Sequence, residues 1–96
     1  RRRVWIVDDS PLDAERARRV LAGVYEVEVL RDGSAALERL TSHVPPDVMV
    51  LDWVMPGISG VEVCRFLRSE PQGHEQMGIV LLTAHRAVAI ASFVYS

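Results

Sequence analysis

The sequence predicts an α/β fold in which helices cover both faces of an open parallel sheet. Three short apolar runs rich in β-branched residues, at positions 4–7, 48–51 and 79–82, indicate buried strands. A fourth strand is predicted at positions 25–30, where apolar and acidic residues alternate as in an edge strand. Helical patterns lie between these runs. Helical crossovers join parallel neighbours, so the order is β-α-β-α-β-α-β.

Helix starts can be assigned from local capping signals. Ser10 followed by Pro11 reads as an N-cap and first helical residue, and an apolar stripe continues to Gly23. Asp32-Gly33 reads as a turn with Ser34 capping the second helix, and Ser59-Gly60 starts the third. The segment after position 83 is too short for a full helix, a strand and a closing helix. It is predicted to hold one or two helical turns before a short strand, or a single strand.

Composition predicts one small domain over residues 1–96. Apolar residues make up 49% of the chain, which suits an α/β core, and the single cysteine, Cys64, excludes an internal disulfide. The net charge of −2 predicts no direct nucleic acid binding. No apolar stretch is long enough to span a membrane and no signal peptide is visible, so a cytoplasmic location is expected.

Polar side chains follow three of the predicted strands directly: Asp8 and Asp9, then Asp52, then Thr83. In a parallel sheet these residues meet at one carboxyl edge, where open α/β sheets bind their ligands. Three carboxylates there repel one another and call for a hard divalent cation, and they can hold Mg²⁺. Asp52, before a turned loop, is the candidate nucleophile towards phosphorus, and Thr83 can donate its hydroxyl to a phosphoryl oxygen. Taken singly, each residue also fits a cap or turn role.

Three stretches together resemble the response-regulator receiver domain of two-component signalling. They are Val4-Trp5-Ile6-Val7-Asp8-Asp9-Ser10, residues 47–60 with the pattern Asp-x-x-Met-Pro-Gly-x-x-Gly, and residues 79–84. The resemblance covers residues 1–84 well and implies a flavodoxin-like sheet of order 2-1-3-4, with a fifth strand where the last unit is complete. Residues 85–96 are expected to be an atypical or truncated tail.

The resemblance implies a role for each matching residue. Asp52 would accept a phosphoryl group from a sensor histidine kinase or phosphotransfer protein. Asp9 and Asp52 would bind Mg²⁺ directly, Asp8 mainly through water, and the backbone carbonyl of Val54 would be a further ligand. Thr83 would move towards the phosphoryl group. Val54 and His85 would tune the lifetime of the phosphoryl group. Phe93 would be a switch aromatic, or it would only pack in the core.

The chain departs from the family pattern after Ala84. Receivers usually continue through a full helix, a fifth strand ending in lysine and proline, and a fifth helix, and this chain contains no lysine. The departure predicts an apolar, exposed sheet side that favours a homodimer or strand-exchanged dimer. A C-terminal effector domain is compatible with the resemblance.

Two other functions fit parts of the pattern. A degenerate receiver would bind a partner without being phosphorylated, which the missing lysine favours and the full acidic triad disfavours. A phosphatase of the haloacid-dehalogenase class also uses a strand-end aspartate. That class wants a second acid two residues on, where this chain has Val54.

Overall fold

The protein is described by a computed structural model that covers residues 2–42, 44–52, 55, 57–69, 77–83 and 86–90, the backbone alone at 83 and 86–90. Strands and helices alternate through the first seven elements, as predicted. The elements are β1 (Arg3–Val7), α1 (Pro11–Leu21), β2 (Glu26–Leu30), α2 (Gly33–Ser42), β3 (Val48–Asp52), α3 (Gly60–Ser69), β4 (Gly78–Thr83) and β5 (Arg86–Ile90).

The strands form one sheet in the order β2-β1-β3-β4-β5. The first four are parallel, which confirms the predicted fold class and the 2-1-3-4 order. The register pairs Val7 of β1 with Leu51 of β3, so the residues that follow β1 and the last residue of β3 reach the same edge. This register is what brings separated acidic residues together.

The fifth strand runs antiparallel to β4, whereas the sequence predicted a parallel sheet. Only residues 84 and 85 separate the two strands. So short a connection joins antiparallel strands, because a parallel pair needs a crossover of about a dozen residues. Of the alternatives predicted for the tail, the single strand agrees with residues 86–90. Residues 91–96 lie outside the described part. The β4 edge, expected to be exposed, is paired with β5.

The sheet divides the core into two unequal layers. Alternate residues of β1 face opposite sides, so Trp5 and Val7 pack with α2 and α3 while Val4 and Ile6 pack with α1. Among the residues whose side chains the structure describes, the first layer contains fourteen buried residues and the second three. The larger layer therefore fixes β1, β3 and the start of α3, which are the elements that carry the acidic residues.

Capping side chains fix where α1, α2 and α3 begin. The Asp13 N–H donates to Ser10 Oγ (3.3 Å), which confirms the predicted cap of α1. The predicted Ser34 cap is wrong, because α2 begins at Gly33 and the Ala35 N–H donates to Asp32 Oδ1 (2.8 Å). Ser59 and Glu62 form a reciprocal capping box at α3, with distances of 3.2 and 3.1 Å. Each cap lies in a loop that follows a strand.

None of the helices in the described part of the chain is both long enough and apolar enough to cross a membrane.

Candidate functional site

Asp8, Asp9 and Asp52 converge at the carboxyl edge of the sheet. One carboxylate oxygen from each residue lies within 4.8 Å of the other two. Asp8 and Asp9 follow β1 and Asp52 ends β3, so the parallel pairing of these neighbouring strands brings the three together. The sequence predicted this convergence from strand ends alone. We call these three residues the acidic cluster.

Asp8 is the buried member of the acidic cluster, with 6% of its surface exposed. Its backbone N–H donates to the Leu30 carbonyl (3.0 Å), and its Oδ1 accepts from the Ser10 N–H (2.9 Å). Burial raises the pKa of the Asp8 carboxyl, an effect that the Ser10 N–H and a hydrogen bond with Asp52 oppose and the negative charges of Asp13 and Asp9 reinforce. A carboxylate held in this way gains from a nearby cation.

Asp52 is half-buried, and α3 holds its backbone from one side. Gly60, the first residue of α3, packs so closely that a Cβ there would lie 2.4 Å from the Asp52 carbonyl oxygen and 3.2 Å from a Leu81 methyl group. No side chain fits in that space. Gly60 therefore lets the start of α3 approach the strand end that carries the candidate nucleophile.

The loop between Asp52 and α3 has further attachments. Met55 is buried in the larger core layer, and Gly57 adopts φ +80°, a backbone conformation that favours glycine. The start of α2 packs on the same loop, because a Cβ on Gly33 would lie 2.9 Å from the Ile58 carbonyl oxygen. The Met-Pro-Gly segment singled out in the sequence thus belongs to a loop anchored on both sides.

The other predicted site residues are only partly described. Thr83 is the last residue of β4 and pairs with Arg86, while Asp52 pairs with Leu82 one position earlier. The backbone therefore brings position 83 to the same edge as Asp52. The remaining predicted positions are Val54, His85 and Phe93, and all three lie outside the described residues.

Sequence reasoning missed two arginines beside the acidic cluster. Arg31 follows β2 and Arg18 lies on α1, and both line a cleft that also contains Asp8 and Asp9. Arg18 is bound by Glu15 at 2.6 Å. Neither arginine belongs to a motif. Arg18 reaches the cleft through the packing of α1 against the sheet, whereas Arg31 could have been anticipated from its place directly after a strand.

Three carboxylates at this spacing suit a hard divalent cation. Oxygen ligands are those that Mg²⁺ prefers, and it binds through a few carboxylates together with phosphate oxygens. Burial and the negative charges of Asp13 and Asp9 raise the pKa of the Asp8 carboxyl, and a bound cation would favour its ionised form. The donor set therefore fits the predicted metal.

Comparison with known protein families shows what kind of domain contains this acidic cluster. The family model described as "Response regulator receiver domain" matches residues 4–96. The chain belongs to the response regulator receiver family. It is a receiver domain of two-component signalling, which confirms the resemblance drawn from the motifs.

Curated relatives are response regulators of bacteria. The DNA-binding response regulator MtrA of Mycolicibacterium smegmatis is 40% identical over 85 residues, covering 88% of this chain and 35% of MtrA. The phosphate regulon transcriptional regulatory protein PhoB of Rhizobium meliloti is 37% identical over 79 residues, 82% of this chain and 34% of PhoB. This receiver thus spans about a third of these relatives. The expectation of no nucleic acid binding finds no support there, since MtrA is named as DNA-binding.

Solved receiver structures share the fold. A receiver domain of a histidine kinase from Syntrophus aciditrophicus superposes with a TM-score of 0.79 at 32% identity, covering 86% of this chain and 62% of that one. Response regulator TrrA from Thermotoga maritima, solved with Mg²⁺–BeF, gives 0.76 at 35% identity, with 88% and 70% covered. These likenesses support the flavodoxin-like class.

Proposed function

We propose that this receiver accepts a phosphoryl group on Asp52 in a Mg²⁺-dependent reaction, with a sensor histidine kinase or phosphotransfer protein as donor. The convergence of Asp8, Asp9 and Asp52 within 4.8 Å carries the proposal. A nucleophilic carboxylate beside two further acids is suited to phosphoryl transfer only where the negative charge is neutralised. That TrrA was solved with Mg²⁺–BeF supports this reading.

Each residue of the acidic cluster would have a separate role in the reaction. Asp9 and Asp52 would hold the metal directly, and the buried Asp8 would contribute its charge, mainly through water. Bound Mg²⁺ would neutralise charge on the phosphoryl oxygens. An Asp52 carboxylate oxygen forms a bond to phosphorus while the phosphorus–nitrogen bond of the donor phosphohistidine breaks. The electron pair of that bond stays on the histidine nitrogen, and the product is an acyl phosphate on Asp52.

Backbone packing holds Asp52 in a fixed position for this step. Gly60 and the loop anchored at Met55 hold the end of β3, which limits how far the nucleophile can move. Positioning of reacting groups supplies much of the catalysis in phosphoryl transfer. We include Thr83 as a phosphoryl hydrogen-bond donor and switch residue, on the strength of its place at the end of β4.

The test is phosphorylation of the protein by a phosphorylated histidine kinase or by acetyl phosphate, followed by intact mass spectrometry. One phosphoryl group should be added in the presence of Mg²⁺, and none after chelation of the metal. Asp52→Asn should abolish the addition. Asp47→Asn, at the opposite end of β3, is the matched control and should be phosphorylated normally, because Asn can still accept the hydrogen bond from the Arg3 N–H (2.7 Å).

Labelling of Asp52→Asn at one persistent site would refute the nucleophile assignment. A wild-type chain that binds Mg²⁺ but takes no phosphoryl group from either donor would favour the degenerate receiver, a module that binds partners without phosphorylation.

A further inference from the structure

A cleft of about 420 Å³ opens beside the acidic cluster, between the end of β2 and the first turns of α1. Asp8 and Asp9 form one part of its lining, and Glu15, Arg18 and Arg31 contribute the other charged groups. The carbonyl of Leu30 accepts from the Asp8 N–H, so Arg31, the next residue, starts beside the end of β1. Because Asp8 and Asp9 belong to both the cleft and the acidic cluster, the cleft borders the proposed metal site.

The two arginines of the cleft differ in how they are held. Arg18 forms an ion pair with Glu15, and with Arg19 it lowers the pKa of Glu15 to about 2. Arg31 is exposed, and no hydrogen bond or ion pair joins its side chain to other parts of the described chain. Glu15 thus offsets the charge of Arg18, whereas the charge of Arg31 remains available to a ligand.

Formal charge determines what this cleft attracts. Three acidic and two basic side chains line it, and Asp52 of the acidic cluster adds a further negative charge, so the metal-free site carries −2 and favours a cation. A bound divalent ion brings this sum to zero. Without Arg31 the metal-loaded site would carry −1 and would repel an anion. Arg31 therefore decides whether a metal-loaded site can accept a negatively charged donor.

We propose that this cleft is the binding subsite for small acyl-phosphate donors and that Arg31 is a positioning residue that holds the donor's anionic group beside the metal. The inference rests on the proposed function. The transfer is balanced in the usual way: the bond from the Asp52 oxygen to phosphorus forms, the bond from phosphorus to the acyl oxygen breaks, and the released carboxylate keeps the electron pair. Arg31 takes no part in either bond.

The same charge has an opposite effect on the metal. A guanidinium that lines the cleft with Asp8 and Asp9 repels a divalent cation, so removing it should tighten Mg²⁺ binding while weakening donor binding. A purely structural role for Arg31 would not produce two changes of opposite sign. Screening by salt should reduce both effects together.

The experiment compares wild type with Arg31→Gln, Arg31→Lys and the control Arg16→Gln, which removes a charge from an exposed position of α1 outside the cleft. Calorimetry measures the Mg²⁺ Kd, and acetyl phosphate titrations measure KM and kcat. Arg31→Gln should tighten Mg²⁺ about two- to fivefold and raise KM by a similar factor at low ionic strength, with kcat little changed. Arg31→Lys should resemble wild type, and Arg16→Gln should show clearly smaller changes.

Equal behaviour of Arg31→Gln and Arg16→Gln in both measurements would overturn the proposal, as would weaker Mg²⁺ binding in Arg31→Gln. Failure of the proposed function is separable from this outcome. A wild-type chain that is not phosphorylated at all refutes the phosphoryl acceptor, and with it the donor subsite. An Arg31→Gln chain in which only one of the two expected changes occurs, the raised KM or the tighter Mg²⁺ binding, refutes the subsite alone.

Discussion

Gly60 and Asp52 are in backbone contact: a methyl group on Gly60 would lie 2.4 Å from the Asp52 carbonyl oxygen. Both the first turn of α3 and the end of β3 are therefore fixed by a position that tolerates no side chain. The contact links helix packing to the placement of the candidate nucleophile. It also explains physically why a glycine follows Ser59 in the recognised motif.

Replacing Gly60 by alanine should lower the free energy of unfolding by about 1–3 kcal/mol, because the new methyl group forces α3 away from β3. Phosphorylation of Asp52 should slow as well, since its strand end moves. Chemical denaturation and the mass-spectrometric assay measure the two effects. Gly23→Ala is the matched control, since nothing lies within 4 Å of a Cβ at Gly23. Equal stability of the two variants would contradict the contact.

Replacing Asp8 by asparagine should stabilise the metal-free protein at pH 7. The pKa of Asp8 is raised above its ordinary value of 3.8, mainly by burial, so the folded state favours the protonated carboxyl. That contribution is present in full below the unfolded pKa and is lost as pH rises through the folded pKa. The ionised group therefore opposes folding at neutral pH.

Thermal unfolding at several pH values measures the Asp8→Asn effect. The gain over wild type should shrink as the pH falls towards 4 and should vanish below it. Added Mg²⁺ should stabilise wild type more than the variant. Glu38→Gln, on the exposed side of α2, controls for a general loss of negative charge. A variant less stable than wild type at pH 7 without metal would show that the buried charge is already compensated.

Replacing Asp9 by alanine should weaken Mg²⁺ binding about tenfold or more, which corresponds to about 1.4 kcal/mol, because a carboxylate ligand is removed. Asp9 is exposed, so the free energy of unfolding without metal should change little. Calorimetric titration with Mg²⁺ measures the affinity and denaturation the stability. Unchanged metal affinity would remove Asp9 from the site.

Replacing Asp32 by alanine should destabilise the fold by about 1 kcal/mol through loss of the α2 cap. The Asp32 carboxylate accepts from the Ala35 N–H at 2.8 Å. Ser34→Ala is the control and should be close to neutral, because Ser34 is exposed within α2. Urea denaturation compares the two variants. A larger loss for Ser34→Ala would restore the cap that the sequence favoured.

Local sequence signals were sufficient for most of the elements. Short β-branched runs predicted β1, β3 and β4, and alternation of apolar and acidic residues predicted the edge strand β2. Ser10 before Pro11 predicted the start of α1. Each of these signals depends on the intrinsic preferences of neighbouring residues, and each agrees with the fold that forms.

Two local predictions failed for reasons that lie outside the local sequence. Asp32 and Ser34 are both good cap residues, and the choice follows from Gly33, which packs against Ile58 and so fixes where α2 begins. The direction of β5 depends on the length of the connection after β4, which the apolar composition of the tail does not encode.

For the candidate site, the sequence determined which side chains could act: three acids and a threonine, each at the end of a predicted strand. Tertiary structure decided the rest. Strand register brings the acids within 4.8 Å, packing buries Asp8 while leaving Asp9 exposed, and the approach of α1 to the sheet puts Arg31 and Arg18 in one cleft with them. Distance and burial set the strength of charge interactions, and both depend on which elements meet in space, so a linear sequence specifies the chemical groups without specifying their energies.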